Sequence, residues 1–196
     1  MKTCFTLPTG ESVTLLCIGK GFHGILHYLH SVRSGKATEG AAAEYENMKT
    51  TYANQLAALV GNEVPDADTL VVPPSSRDDT APYGEAILQK QVLLQDLSGQ
   101  FSRNGNVRAA DNDTALDQVI EEYVYAPSGS EPTTKSLLIL DETVGSGKTA
   151  AAILHHLRAA GLPSDCKVTI ATARKVSNAM PMYANFGLQS LADSYS

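Results

Sequence analysis

Leu137-Leu138-Ile139-Leu140-Asp141-Glu142-Thr143-Val144-Gly145-Ser146-Gly147-Lys148-Thr149 is the stretch that decides the fold. Four apolar residues lead into an acidic pair and then a small-residue loop with two glycines, and an alanine-rich segment follows. A buried strand that delivers a ligand loop to a helix N-terminus has this form, because the free N–H groups and the dipole of a helix start both favour an anion. Two owners of such a loop compete, a triphosphate P-loop and a ribose-phosphate loop. A Walker A loop needs Gly-x-x-x-x-Gly-Lys-[Ser/Thr], and counting back from Gly147 puts its first glycine at Glu142. Two carboxylates at the mouth of a triphosphate cradle would repel the ligand. An ionised carboxylate only accepts hydrogen bonds, so Asp141 and Glu142 suit the hydroxyl donors of a ribose 2′,3′-diol. Val144 to Thr149 can then wrap a single 5′-phosphate with backbone N–H groups.

Working outward, the spacing predicts a helix from about Gly147 to Ala160, with Ala150, Ile153, Leu154 and Leu157 on one face and Gly161 and Pro163 as stop signals. Lys167 to Ala173 reads as a last buried strand. Towards the N-terminus, Val13 to Ile18 is a short apolar run that ends in the turn Gly19-Lys20-Gly21, and a helix is expected from about Phe22 to Val32. Its His23, His27 and His30 share one face, either as a metal site or as solvated or satisfied histidines. Tyr45, Met48, Tyr52, Leu56 and Leu59 line a second helix that Gly61 can end. Asp68 to Val72 is a strand that Pro73 and Pro74 must stop. Pro82 opens a helix continued by Ala86, Ile87, Leu93, Leu94 and Leu97. Ser98 to Asn112 lacks periodicity and reads as a long loop, a lid or a surface excursion, and Val119 to Tyr125 reads as a strand. Strands alternating with helices predict an α/β fold, a Rossmann-like parallel sheet flanked by helices.

The 196 residues, 43% hydrophobic and 18% charged, suit one globular domain over 1–196. No run of about 18 apolar residues offers a membrane span. The start lacks the apolar core of a secretory signal, so a cytoplasmic location is expected. Cys4, Cys17 and Cys166 are odd in number and widely spaced, as reduced thiols are. A net charge of -6 with no run of basic residues disfavours general nucleic-acid binding, while a small phosphorylated ligand stays admissible.

The strand, acidic pair, two variable residues, small hydroxyl-bearing loop, glycine and final threonine of Leu138 to Thr149 resemble the signature of the type I phosphoribosyltransferases. Pro73-Pro74-Ser75-Ser76-Arg77 resembles the pyrophosphate loop of that family's competence-associated, amidophosphoribosyltransferase-like branch, and Ala171-Thr172-Ala173-Arg174 its last core strand. The resemblance spans about Asp68 to Val176. The zinc ribbon of that branch has no counterpart here. Gly145 stands where 6-oxopurine salvage enzymes carry an aspartate, which argues against hypoxanthine or guanine as substrate.

The resemblance implies that phosphoribosyl pyrophosphate binds with Mg²⁺ and that its phosphoribosyl group passes to or from a nitrogen base. Asp141, Glu142, Arg77 and Arg103 would be catalytic, with Arg108 a further candidate cation. Asp141, Glu142, Thr143, Val144, Gly145, Ser146, Gly147, Lys148, Thr149, Ser75 and Ser76 would bind the ligand. Asp141 and Glu142 would engage Mg²⁺ indirectly, through ribose hydroxyls or water. Residues 1–62 and 178–196 would be variable parts able to form a hood, the tail also serving a homodimer or partner contact. A non-catalytic ligand sensor on the same fold and a P-loop ATPase using Lys148 and Thr149 are the rival readings.

Overall fold

In a computed structural model the described residues are 1–18, 39–75, 80–105, 113–128 and 133–175. In chain order the elements are β1 (Lys2–Thr6), β2 (Ser12–Cys17), α1 (Glu39–Glu63), β3 (Thr69–Val71), α2 (Ala81–Lys90), β4 (Gln95–Asp96), a 3₁₀ turn (Ser98–Gln100), β5 (Phe101–Arg103), α3 (Leu116–Glu122), β6 (Tyr123–Tyr125), β7 (Ser136–Val144), α4 (Lys148–Ala159) and β8 (Lys167–Lys175). The expected turn at Gly19 to Gly21, the helix carrying His23, His27 and His30, and Ser76, Arg77, Arg108 and the tail 178–196 lie outside the described residues.

Six strands form one sheet in the order β1-β2-β8-β7-β3-β4. Every pairing from β2 to β4 is parallel, and only β1 runs antiparallel to its neighbour. The mostly parallel α/β sheet expected from the alternation is therefore present. β7 is central and covered on both faces, which is why its first five residues are continuously apolar or small rather than alternating. Leu137 and Ile139 pack with Leu15, Ile170, Ala150 and Leu154 on the α4 face. Leu138 and Leu140 pack with Leu16, Leu70, Leu56 and Tyr83 on the α1 and α2 face.

From β7 the chain crosses through α4 to β8, while from β3 it crosses through α2 to β4 in the opposite direction. The two helices fall on opposite faces, as a single hand of crossover requires. The strand order thus reverses between β3 and β7. In open α/β sheets the crevice outside the carboxyl ends of the strands at such a reversal is where ligands bind.

Several elements differ from their sequence reading. The helix opened by Pro82 ends at Lys90, not Leu97, because Leu94 belongs to the α1 and α2 layer and Leu97 to the α4 layer, on opposite faces of the sheet. Leu93 is left almost fully exposed. Val119 to Tyr125 is not one strand but the end of α3 followed by β6. The Gln118 side chain accepts the Ala115 N–H at 2.9 Å to start that helix, and Val119 and Tyr123 both enter the α4-side core. Part of the supposed loop from Ser98 is ordered, since β5 pairs antiparallel with β6 in a small ribbon. α1 runs two residues past Gly61. Among the described residues no helix is long and apolar enough to cross a membrane.

α2 approaches β3 closely at Gly84, where a Cβ would meet Val72 Cγ2 at 2.8 Å. Gly84→Ala is expected to lower stability by about 1–3 kcal/mol through overpacking, read as a fall in the urea midpoint at unchanged slope.

Candidate functional site

The crevice is built from three strand ends. β7 supplies the acidic pair, and it continues past it: Asp141 pairs with Thr172, Thr143 with Arg174 and Val144 with Lys175. Val144 is buried in the α4-side core. The free loop is therefore short, Gly145 to Gly147, and delivers the chain directly to α4. Gly147 stands at the N-cap of α4 with φ 79°, a left-handed conformation that glycine adopts without strain. Its Cβ side is closed by the N-terminal hairpin, for a Cβ there would meet Phe5 Cε1 at 2.6 Å and Leu7 Cδ2 at 3.2 Å. Among the described residues no side chain caps the first turn of α4, so its leading backbone N–H groups face the loop with the positive end of the helix dipole.

Strand periodicity sets the two carboxylates apart. Asp141 follows Leu137 and Ile139 towards the α4 face, and Glu142 follows Leu138 and Leu140 towards the other. They lie on opposite faces of β7 near its carboxyl end. The Glu142 carbonyl accepts the buried Thr172 hydroxyl at 3.0 Å, which ties the tip to β8. Burial pushes the Asp141 carboxyl up to about 6, and the Thr143 N–H, which donates to it at 3.3 Å, offsets only part of that rise.

The β5–β6 ribbon brings a second group to the same place. Arg103 Nε donates to Glu122 Oε1 at 2.6 Å, with side-chain exposures of 17% and 2%, and its guanidinium lies 5.9 Å from the centre of the Tyr123 ring. Burial raises the Tyr123 phenol, Arg103 lowers it and the charge of Asp141 raises it further, while the Tyr123 hydroxyl reaches the Thr149 side chain. Tyr123 thus links Arg103 to the loop. Nothing in its sequence neighbourhood marks it, because its role comes from the ribbon folding back over α4. Lys148 Nζ donates to the Thr114 carbonyl at 2.7 Å, tying the loop to the segment before α3.

Pro73, Pro74 and Ser75 leave β3 beside β7, with Pro73 buried and Ser75 part-buried. The structure therefore gathers Asp141, Glu142, Gly145 to Thr149, Ser75 and Arg103 around the carboxyl ends of the central strands. Thr143 and Val144 sit in the strand that leads there. Among the described residues no group of three or more His, Cys, Asp or Glu side chains forms a metal cluster. The whole is an α/β protein with a strand–loop–helix junction at a topological switch point.

No family model matches the chain, and no curated protein matches it. Among solved structures it is similar to a hypoxanthine phosphoribosyltransferase variant from Trypanosoma cruzi in a ternary complex with substrates, at a TM-score of 0.40 and 13% identity over 71% of this chain and 75% of that one. A likeness this loose assigns neither family nor activity.

The environment of Asp141 gives a pH-dependent expectation. Its folded-state value lies above the unfolded value of about 4, so the folded state binds the proton more tightly and stability falls as pH rises from about 4 to about 6. Asp141→Asn removes the buried charge and is expected to raise stability by about 2–3 kcal/mol at pH 7, with little gain at pH 4, in denaturant titrations at both values. Gly147→Ala is expected to lower stability by about 1–3 kcal/mol, since it combines a left-handed backbone with a clash at Phe5.

Proposed function

We propose that the chain binds phosphoribosyl pyrophosphate with Mg²⁺ and transfers the phosphoribosyl group to or from a nitrogen base. The observation that carries this reading is the acidic pair near the carboxyl end of the central strand, followed within a few residues by the left-handed Gly147 and the start of α4. Asp141 and Glu142 accept hydrogen bonds from the ribose diol, and the N–H groups from Gly145 to Thr149 hold the 5′-phosphate. Pro73 to Ser75 leave the neighbouring strand, and Ser75, Ser76 and Arg77 would take the pyrophosphate end. That loop is also what supports the competence-associated branch, and Gly145 speaks against a 6-oxopurine acceptor.

The residues present fit the implied ion. A part-buried carboxylate whose charge is costly gains from a nearby cation, and Mg²⁺ takes one or two carboxylates and completes its shell with substrate oxygens and water. Asp141 and Glu142 would hold it through ribose hydroxyls or water, and the ion would neutralise charge on the diphosphate. In the reaction the bond from C1 to the pyrophosphate oxygen breaks with its electron pair leaving on pyrophosphate, and a bond from the base nitrogen to C1 forms. The chain's part is positioning and electrostatic stabilisation of the leaving group, for which Arg77 and Arg103 are the cations. Arg103 must exchange Glu122 for the ligand to act.

That last feature favours a second reading, a non-catalytic sensor on the same fold. Arg103 donates to Glu122 and Lys148 to the Thr114 carbonyl, so both cations are engaged with groups of the protein. The Lys148 contact to Thr114 also weighs against an ATPase that needs this lysine on its outer phosphates.

A thermal-shift panel tests the reading. Phosphoribosyl pyrophosphate and ribose 5-phosphate should raise the melting temperature, the first more strongly with Mg²⁺, and ATP should not, because only a ligand of the folded state stabilises it. A shift with ATP alone would refute it. Pyrophosphate release on adding a panel of nitrogen bases separates enzyme from sensor.

A further inference from the structure

The exit of β3 is held in an unusual way. Gln95 N–H donates to the Asp68 carbonyl at 2.8 Å and Leu97 N–H to the Leu70 carbonyl at 2.9 Å, the regular rungs of a parallel ladder. The next rung would take the Val72 N–H to the Leu97 carbonyl. That carbonyl instead accepts the Gln100 N–H at 3.0 Å, because the chain turns there into the 3₁₀ segment. The Val72 N–H goes to the Ser98 hydroxyl oxygen at 2.8 Å, so a side chain replaces the missing backbone acceptor. The Ser98 hydroxyl is itself aimed by Asp96, whose Oδ1 accepts it at 2.5 Å and the Ser98 N–H at 2.8 Å.

Pro73 and Pro74 carry no N–H, so the Val72 N–H is the last backbone donor before Ser75. On its other side Val72 is pressed against Gly84 of α2, where no Cβ fits. One hydrogen bond and one close packing contact therefore fix the direction in which Pro73-Pro74-Ser75 leaves the sheet.

We propose that Ser98, oriented by Asp96, is a positioning residue that aims the Pro73–Ser75 loop, and that it governs binding of the pyrophosphate end of the ligand independently of the ribose-phosphate end. The inference rests on the phosphoribosyl reading above. Ser98 touches no ligand and acts through Val72. It lies on a different element from Asp141 to Thr149, so the two ends of the ligand can be perturbed separately.

The test measures binding of ribose 5-phosphate, magnesium pyrophosphate and phosphoribosyl pyrophosphate by calorimetry to wild type, Ser98→Ala and Ser98→Thr. Ser98→Ala should weaken magnesium pyrophosphate about three- to tenfold, the worth of one hydrogen bond, and leave ribose 5-phosphate unchanged. Ser98→Thr, which keeps the hydroxyl, should restore pyrophosphate binding. If Ser98→Ala does not fold, Asp96→Asn is read in its place, with the same selective loss expected in smaller measure. Equal pyrophosphate affinity in wild type and variant, or a parallel loss of both ligands, would overturn the proposal. Wild type that binds ribose 5-phosphate but not pyrophosphate would overturn it and leave the phosphoribosyl site standing. Wild type that binds neither would remove the site itself.

Discussion

The structure depends on a carboxylate placed where burial resists its charge. Asp141 follows a run of core residues, and the sheet that makes Leu137 to Leu140 inaccessible also partly buries the acid that follows them. A fold selected for stability alone would put an amide or an apolar residue there, since a desolvated charge opposes folding unless something pairs with it. Among the described residues the Thr143 N–H donates to it. A residue so placed is a candidate functional group, and donors or a cation brought by a ligand would complement it.

The rest of the architecture serves that position. β7 is central because both neighbours are parallel and both faces are covered, and the chain leaves it and β3 in opposite directions, the kind of reversal at which open α/β sheets bind ligands. The short loop to α4 is braced from three sides. Phe5 and Leu7 close behind Gly147, Tyr123 reaches Thr149, and Lys148 is tied to Thr114. A loop held this rigidly keeps the first turn of α4 aimed at one spot, which is what recognition of a single phosphate asks of backbone donors.

Much of this was legible in the sequence, and the reasons are local. Leu137 to Leu140 is a continuous apolar run ending in charge, Pro73 and Pro74 mark the end of β3, and Gly161 and Pro163 lie just beyond α4. Those signals act within a few residues. Leu93, Leu94 and Leu97 mimic a helical face, yet two of them serve opposite layers and one serves none, a distinction that exists only after the sheet is assembled. The antiparallel β1, half exposed along its length, carries no strong pattern, and its contribution at Gly147 appears only in three dimensions. Arg103 reads from the sequence as a loop cation, but its partner Glu122 ends α3 and its neighbour Tyr123 begins β6, a helix-to-ribbon junction that sequence spacing does not announce. Ser98 looked like the start of a featureless loop and is instead the final rung of the β3 edge.

The proposed division of labour, acids for the sugar and loop for the phosphate, is tested most directly by comparing two ligands that differ in one hydroxyl. Ribose 5-phosphate and 2-deoxyribose 5-phosphate present the same phosphate to Gly145 to Thr149 and different donors to Asp141 and Glu142. The deoxy sugar should bind about tenfold more weakly to the wild-type protein, the value of one hydrogen bond to a charged acceptor, at a pH where Asp141 is ionised. Equal affinity for the two sugars would contradict a diol grip by the acidic pair.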